Sequence, residues 1–418
     1  MGKQVLIIGG GIIGLSSAFY LRQEGFEVTV VDQGDLTNGC SYGNAGYLCP
    51  SHFVPMAAPG IVAQGFKWMF NSKSPFYVQP RLNSELISWG LQFMRSANKT
   101  HVDNSAVPLR DIALLSKGLY EEWTKLPGFN FAYDPRGLLD LFKTEANAHH
   151  GEHAVKDARA LGLDARLLNK QEVAAMFPGV QLDILGAVYY GCDAQLYPNK
   201  LMADLVNYLK QNGVQFELNK TITGFTIDGS TVAAVHAEGK IFKPDHIVLA
   251  AGVWSGSIAK QLNIKIPMVG GRGYSVTFEN APWKFTYPVL LSEARVAISP
   301  MDGNKLRFGG TMEITGTKTP PRLNRVRGIL EAVTRYFPDY KVPMPPENSI
   351  WYGYRPCSAD GLPYIGNISR YKNLTVGTGH SMLGLSLGAG TGKLVSELVA
   401  GKKTAMDTTP FRVERFDR

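Results

Sequence analysis

The chain has 418 residues, 44% of them hydrophobic and 19% charged, which excludes a disordered or low-complexity polypeptide and supplies a large core. At this length one core ordinarily splits, so two domains are expected. Lysine and arginine outnumber aspartate and glutamate by 43 to 35, a formal charge of +8; this fits an anionic substrate, an anionic membrane surface or simply a solvated basic surface, and without a dense basic tract no nucleic-acid partner is expected.

In chain order, the first element is decisive. Val5 to Gly14 reads VLIIGGGIIG, and a second apolar run, VTVV, ends at Asp32. Gly9 permits a tight turn out of a strand, Gly11 lets a pyrophosphate approach the backbone, and Gly14 lets a helix pack closely on the sheet. Phosphates then sit at the helix N-terminus beside Ile12 and Ile13, where unpaired N–H groups and the helix dipole favour anions. Asp32, with Gln33 next to it, can accept hydrogen bonds from ribose hydroxyls, and an acid there repels a 2′-phosphate, which disfavours NADP. The motif leaves FAD and NAD open.

Ala57 to Asn98 is aromatic and apolar, interrupted at Asn71 to Pro80. It predicts two short amphipathic helices and a loop, either wrapped over the cofactor or exposed to a membrane or quinone. Leu109 to Lys125 has helical spacing. From about Phe129 short strands and one charged helix open a second domain. In that helix His149, His150, Glu152 and His153 are read as an exposed polar face, and no metal site is expected. A helix at Pro198 to Asn212 and further strands lead back to the nucleotide domain. There IVLAAGVWS places a strand at Ile247 to Leu249, followed by Ala250, Ala251, Gly252 and Trp254, small residues suited to a second close approach to cofactor. The segments RGYSVTFE, PVLLSEARVAISPM and NKLRFGGTME alternate like antiparallel strands. Near the C-terminus a strand, a glycine-rich loop at Gly377 to Gly384 and a helix reaching about Val399 follow one another; that helix N-terminus could stabilise negative charge on a reduced flavin. The sequence GAGTGKL in this region lacks the spacing of a phosphate-binding P-loop.

The four cysteines, Cys40, Cys49, Cys192 and Cys357, have no zinc or redox-motif spacing, which fits reduced thiols in a cytosolic protein. No apolar run is long enough to span a bilayer, and a first strand at Val5 leaves no room for a signal peptide. The expectation is a cytoplasmic protein, free or in contact with the inner face of the plasma membrane.

The fingerprint, Ser41-Tyr42-Gly43-Asn44-Ala45-Gly46, Arg272-Gly273-Tyr274-Ser275, Gly353-Tyr354-Arg355-Pro356 with Asp360-Gly361-Leu362-Pro363, and Gly379-His380-Ser381-Met382-Leu383-Gly384 together resemble the D-amino-acid-oxidase superfamily of flavoproteins, and within it the bacterial D-amino-acid dehydrogenases. The resemblance runs from residue 5 to beyond residue 390. It implies an α/β protein with a Rossmann-like FAD-binding domain (1–128, 193–264 and 346–418) interleaved with an α+β substrate domain on a mainly antiparallel sheet (129–192 and 265–345). It also implies non-covalent FAD, held in addition by Ser41, Asn44, Ala45, Gly46, the backbone of Ile222, and the loop Gly379, His380, Ser381, Met382, Leu383 and Gly384.

A guanidinium matches a carboxylate in bidentate geometry, and in the superfamily the arginine at the position of Arg355 holds the substrate carboxylate. Tyr274 and Tyr354 are candidates to line the site, and His52 follows the flavin-facing loop and could touch substrate. The implied reaction is oxidative deamination of D-amino acids to 2-oxo acids and ammonia by hydride transfer to flavin N5, with electrons passed to a quinone or carrier protein. Oxidation of secondary amines such as hydroxyproline, proline or sarcosine is the neighbouring reading, and a tRNA-modifying flavoprotein is the reading from another class. Two departures stand out: Tyr42-Gly43 replaces the more usual Phe-Ala, and Cys357 places a thiol near the flavin in a superfamily where some members bind it covalently through cysteine.

Overall fold

A computed structural model describes residues 2–63, 65, 73–81 and 83–417. The fingerprint strand, Gln4–Ile8, is central in a six-stranded sheet, because its run of Val5, Leu6, Ile7 and Ile8 is buried on both faces. The sheet order is Tyr364–Ile368, Tyr371–Thr378, His246–Leu249, Gln4–Ile8, Glu27–Val31, Gln215–Glu217, parallel throughout except for its first, antiparallel edge strand.

The helix Ile12–Gln23 follows the glycine turn and packs against the last helix, Gly388–Val399, and through it against Lys99–Trp123. The GAGTG run therefore serves packing: a Cβ on Gly392 would lie 2.5 Å from the Ser16 backbone, one on Gly388 2.6 Å from Ile12, and one on Gly390 3.0 Å from the Ile112 carbonyl. Asp360 of the Asp-Gly-Leu-Pro segment accepts two hydrogen bonds from Arg415 (2.7 and 2.8 Å), tying down the C-terminal tail.

A second sheet of nine strands is mostly antiparallel. Its order is Ile350–Ser358, Met268–Phe278, Leu306–Ile314, Val296–Pro300, Val289–Leu291, Leu138–Phe142, Gly186–Tyr190, Ala165–Asn169, with Phe76–Val78 alongside Leu306–Ile314. Helix Leu323–Tyr336 covers one face, joining Val326, Ile329, Leu330 and Val333 to Val289, Leu291 and Phe308 in a single core. A small antiparallel sheet, Ile222–Asp228, Thr231–Ala237 and Lys240–Phe242, hangs beside the first.

Three expectations change here. The interruption expected as a loop at residues 71–80 contains the strand Phe76–Val78, whose partner lies more than 200 residues away. Residue 346 does not separate the two sheets, because Ile350–Ser358 pairs along its whole length with Met268–Phe278. Of the two expected amphipathic helices, the second is Ser84–Ser96; the first runs into residues 64 and 66–72, outside the described residues.

Candidate active site

A cavity of about 1240 Å³ runs from the fingerprint to the second sheet. Its nucleotide end is built by close backbone approaches. Gly9 has φ +108°, and a Cβ there would lie 2.5 Å from the Ala250 carbonyl oxygen; a Cβ on Gly14 would overlap the Gly9 carbonyl. At Gly11 the nearest atom to such a Cβ is Ser41 Oγ at 3.6 Å, so the space over this glycine is open. Ser41 Oγ accepts from the Ile12 N–H (3.0 Å), and Asp32 accepts from the Gly10 and Gly34 N–H groups (2.7 Å each), fixing the carboxylate at the cavity wall.

Most of the expected cofactor residues line this cavity: Gly9, Gly11, Ile12, Ile13, Asp32, Gln33, Ser41, Asn44, Ala45, Ile222, Ala250, Ala251, Gly252, Trp254, His380, Ser381, Met382, Leu383 and Gly384. Gly14, Gly46 and Gly379 do not; they act one layer behind. Gly46 has φ +84° with the Leu196 carbonyl against it, and Gly379 has φ +77° with the Tyr364 ring 2.5 Å from a Cβ. The ring of His380 is buried and bonded to Thr391 Oγ1 (2.9 Å), so its backbone is what the cavity meets.

At the other end the pleat of the second sheet sorts the substrate candidates. Successive side chains of a strand point to opposite faces, and directly paired residues share a face. Arg355 pairs with Gly271 and Gly353 pairs with Gly273, while Tyr354 pairs with Arg272 and Tyr352 with Tyr274. Arg355 therefore shares a face with Gly271, Gly273 and Gly353, its guanidinium lying over Gly273, and Tyr354 and Tyr274 stand on the reverse. The Tyr274 hydroxyl donates to buried Glu313 (2.7 Å) and accepts from the Arg322 N–H (2.8 Å), inside a cluster that also holds Arg272; the Tyr354 hydroxyl donates to the Thr317 carbonyl (2.9 Å). Both tyrosines contribute to the cavity wall, but their hydroxyls are committed elsewhere.

Arg355 is different. Its one hydrogen bond goes to the Thr311 carbonyl (2.7 Å), and no carboxylate among the described residues lies within ion-pair distance. Burial lowers its pKa from the ordinary guanidinium value, so its charge is poorly solvated and ready for an anion. Cys357, two residues on and on the same face, does not line the cavity: its thiol donates to Met312 Sδ (3.8 Å) and burial pushes it up to about 12, a weak nucleophile.

His52 lines the cavity with Nδ1 3.1 Å from Ser51 Oγ, and burial lowers it to about 4, so the ring is neutral at pH 7. Ser51 in turn donates to buried Asp193 through both N–H (3.0 Å) and O–H (2.6 Å). Cys49, His52 and Asp193 bring possible ligand atoms within 4.8 Å of one another. His149 and His153 lie on an exposed helix.

Three residues escaped the sequence reading. Arg307 is buried and donates to the Tyr42 and Asn44 carbonyls (2.8 and 2.6 Å), holding the loop at residues 41–46 to the second sheet. Trp351 packs onto Gly43, occupying the space that a methyl would need, which accounts for glycine in Tyr42-Gly43. Arg295 reaches the cavity from a hairpin turn. Their only signal was arginine and tryptophan in otherwise strand-like runs.

The chain matches the FAD dependent oxidoreductase (DAO) family over residues 4–398. It belongs to this family. Its cofactor is FAD, and the open space over Gly11 together with the Asp32 carboxylate fits the dinucleotide. The D-amino acid dehydrogenases of Granulibacter bethesdensis and Neisseria meningitidis are each 29% identical to this family member across 99% of both chains. Glycine oxidase from Geobacillus kaustophilus (TM-score 0.77, 24% identity, 99% of each chain) and L-proline dehydrogenase from P. horikoshii (TM-score 0.73, 18% identity, 100% of this chain and 98% of that one) share its fold.

Proposed function

We propose that this FAD-dependent oxidoreductase deaminates D-amino acids to 2-oxo acids and ammonia. The observation that carries the reading is Arg355, a half-buried guanidinium on the cavity wall with no carboxylate partner among the described residues. Bidentate capture of the substrate carboxylate there fixes the orientation of the Cα–H. Bound FAD supplies the hydride acceptor. Water then releases ammonia from the imino acid in solution. A neutral His52 takes no proton at pH 7, and the substrate amine must enter uncharged. Non-covalent FAD is favoured by the inert Cys357 thiol.

The electrons pass to a quinone or carrier protein. Support comes from exposed Val54, Met94, Trp254 and Met382, which are apolar and belong to the cavity wall. No helix among the described residues is long and apolar enough to cross a membrane, so contact with the inner face would be peripheral. Purified holoprotein assayed with D- and L-amino acids and an artificial dye should form 2-oxo acid and ammonia from the D series, at least about tenfold faster with dye than with oxygen. Turnover confined to secondary amines such as proline or sarcosine would replace this reading with the neighbouring one, and rapid peroxide formation would make the enzyme an oxidase.

A further inference from the structure

The loop at residues 41–46 alternates between satisfied and open backbone N–H groups. Those of Tyr42, Asn44 and Gly46 donate locally, to the Gly39 carbonyl (3.0 Å), the Ser41 carbonyl (3.4 Å) and Asn44 Oδ1 (2.8 Å). Those of Gly43 and Ala45 have no hydrogen-bond partner among the described residues, and both residues line the cavity. A trans peptide holds its N–H opposite its C=O. The carbonyls of these same two peptide units, on Tyr42 and Asn44, both accept from Arg307 Nη1 (2.8 and 2.6 Å), and Arg307 stands behind the cavity wall. Holding the two carbonyls there turns the Gly43 and Ala45 N–H groups toward the cavity.

Arg307 is fixed in turn, with Nε donating to Thr277 Oγ1 and Nη2 to Asn199 Oδ1 (2.9 Å each). All four of its partners are neutral, and a cation against two carbonyl oxygens polarises their amides and strengthens the N–H donors. The loop also joins the two ends of the cavity. Ser41 Oγ meets the Ile12 N–H at the pyrophosphate turn, and the Trp351 ring lies against Gly43 and Gly353, on the strand face that carries Arg355.

We propose that Arg307 is a positioning residue that presents the Gly43 and Ala45 N–H groups to a carbonyl oxygen of the flavin ring. This rests on Arg355 holding the substrate carboxylate, because the ring then lies between Gly11 and Arg355, alongside these residues. A ring carbonyl suits the two donors better than N5, which becomes a donor on reduction, whereas the carbonyl remains an acceptor and gains electron density. Fixed donors there favour the reduced flavin. Arg307, which touches neither cofactor nor substrate, thus sets how readily the flavin is reduced.

The test removes the clamp and reads the cofactor. Arg307→Met fills similar space without donors, and Arg307→Lys keeps a charge that can reach one carbonyl. In Arg307→Met, FAD should bind about tenfold more weakly, while ADP, which lacks the ring, should stay within about twofold of wild type. The flavin midpoint potential should fall by about 30 mV, a tenfold change for a two-electron couple, with Arg307→Lys in between. Wild type should bind either 2-thio-FAD or 4-thio-FAD, in which sulfur replaces one ring carbonyl oxygen as a poorer acceptor, about fivefold more weakly than FAD. That preference should vanish in Arg307→Met, and its wild-type half holds as a test even if a variant fails to fold. The proposal is overturned if Arg307→Met weakens ADP as much as FAD, which would give the donors to the pyrophosphate. An unmoved potential, or equal wild-type affinity for FAD and both analogues, would also overturn it. A lowered potential in a protein that turns over no D-amino acid would sink the deaminase reading and leave the positioning role standing; turnover with an unmoved potential would do the reverse.

Discussion

Arg355 shows how much one side chain's surroundings decide. Three other arginines of the second sheet and its covering helix, Arg272, Arg322 and Arg325, gather around Glu313, whereas Arg355 faces glycines and a single carbonyl. The same functional group is structural in one place and available in the other. Arg355→Lys keeps the charge but loses the planar fork, and Arg355→Ala loses both. Removing a charge-assisted pair costs about 1.5–3 kcal/mol, so the alanine variant should lose at least about tenfold in kcat/KM for the amino acid, with lysine between. FAD content should not change, and the rate gap between an amino acid and its decarboxylated amine should shrink. An undiminished gap in both variants would assign the carboxylate to another residue.

At the level of elements, the fingerprint turn separates folding from binding within six residues. Gly14 is required by the chain itself, because its α-carbon lies against the Gly9 carbonyl; Gly11 is not, because nothing of the protein stands within 3.6 Å of an added methyl. Gly14→Ala should therefore destabilise the apoprotein, by about 1–3 kcal/mol in line with other overpacked sites. Gly11→Ala should melt like wild type as apoprotein yet bind FAD weakly. Thermal melts of the apo forms and flavin absorbance after reconstitution separate the two. Equal FAD content in Gly11→Ala and wild type would move the pyrophosphate away from this loop.

Across the whole molecule, buried ionisable groups of opposite sense set the response to acid. Burial lowers His52 and His246 to about 4 and His380 to about 3, so all three are neutral in the fold. Their contribution is complete above pH 6.5 and is lost as pH falls toward 4 and below, because the unfolded chain takes up their protons first. Burial raises Asp140 and Asp193 to about 6. Theirs is the reverse: complete below the ordinary aspartate value near 3.8, and lost as pH rises to 6. Between pH 4 and 6 the two sets oppose each other. His380→Gln should make stability in this window less sensitive to acid, and Asp193→Asn more sensitive, each by up to about 1.4 kcal/mol per pH unit. Urea unfolding at pH 4, 5, 6 and 7 checks both, and a common shift in either variant without a change of slope would show that the group titrates normally.

Much of the nucleotide end was legible from sequence because its conformation is settled within about thirty contiguous residues. A strand, a tight turn, a helix start and an acid leave few ways to place Gly9, Gly11, Gly14 and Asp32. The Arg355 motif was equally visible, as was the antiparallel character of the second sheet. Local patterning could not say which strands meet. Arg355 and Tyr354 are neighbours in sequence and strangers across the pleat, a distinction that follows from period two only once Ile350–Ser358 is known to be a strand in register with Met268–Phe278. Arg307 holds a loop more than 260 residues away, Trp351 explains Gly43 over a separation of about 300, and Ser292 bonds Asp140 because a parallel pairing sets Val289–Leu291 beside Leu138–Phe142. The sequence by itself determined the cofactor-binding turn and the kind of group that would hold a carboxylate. Tertiary structure decided which side chains share the cavity, because that depends on long-range strand register, to which residue identity contributes only through the packing of the whole sheet.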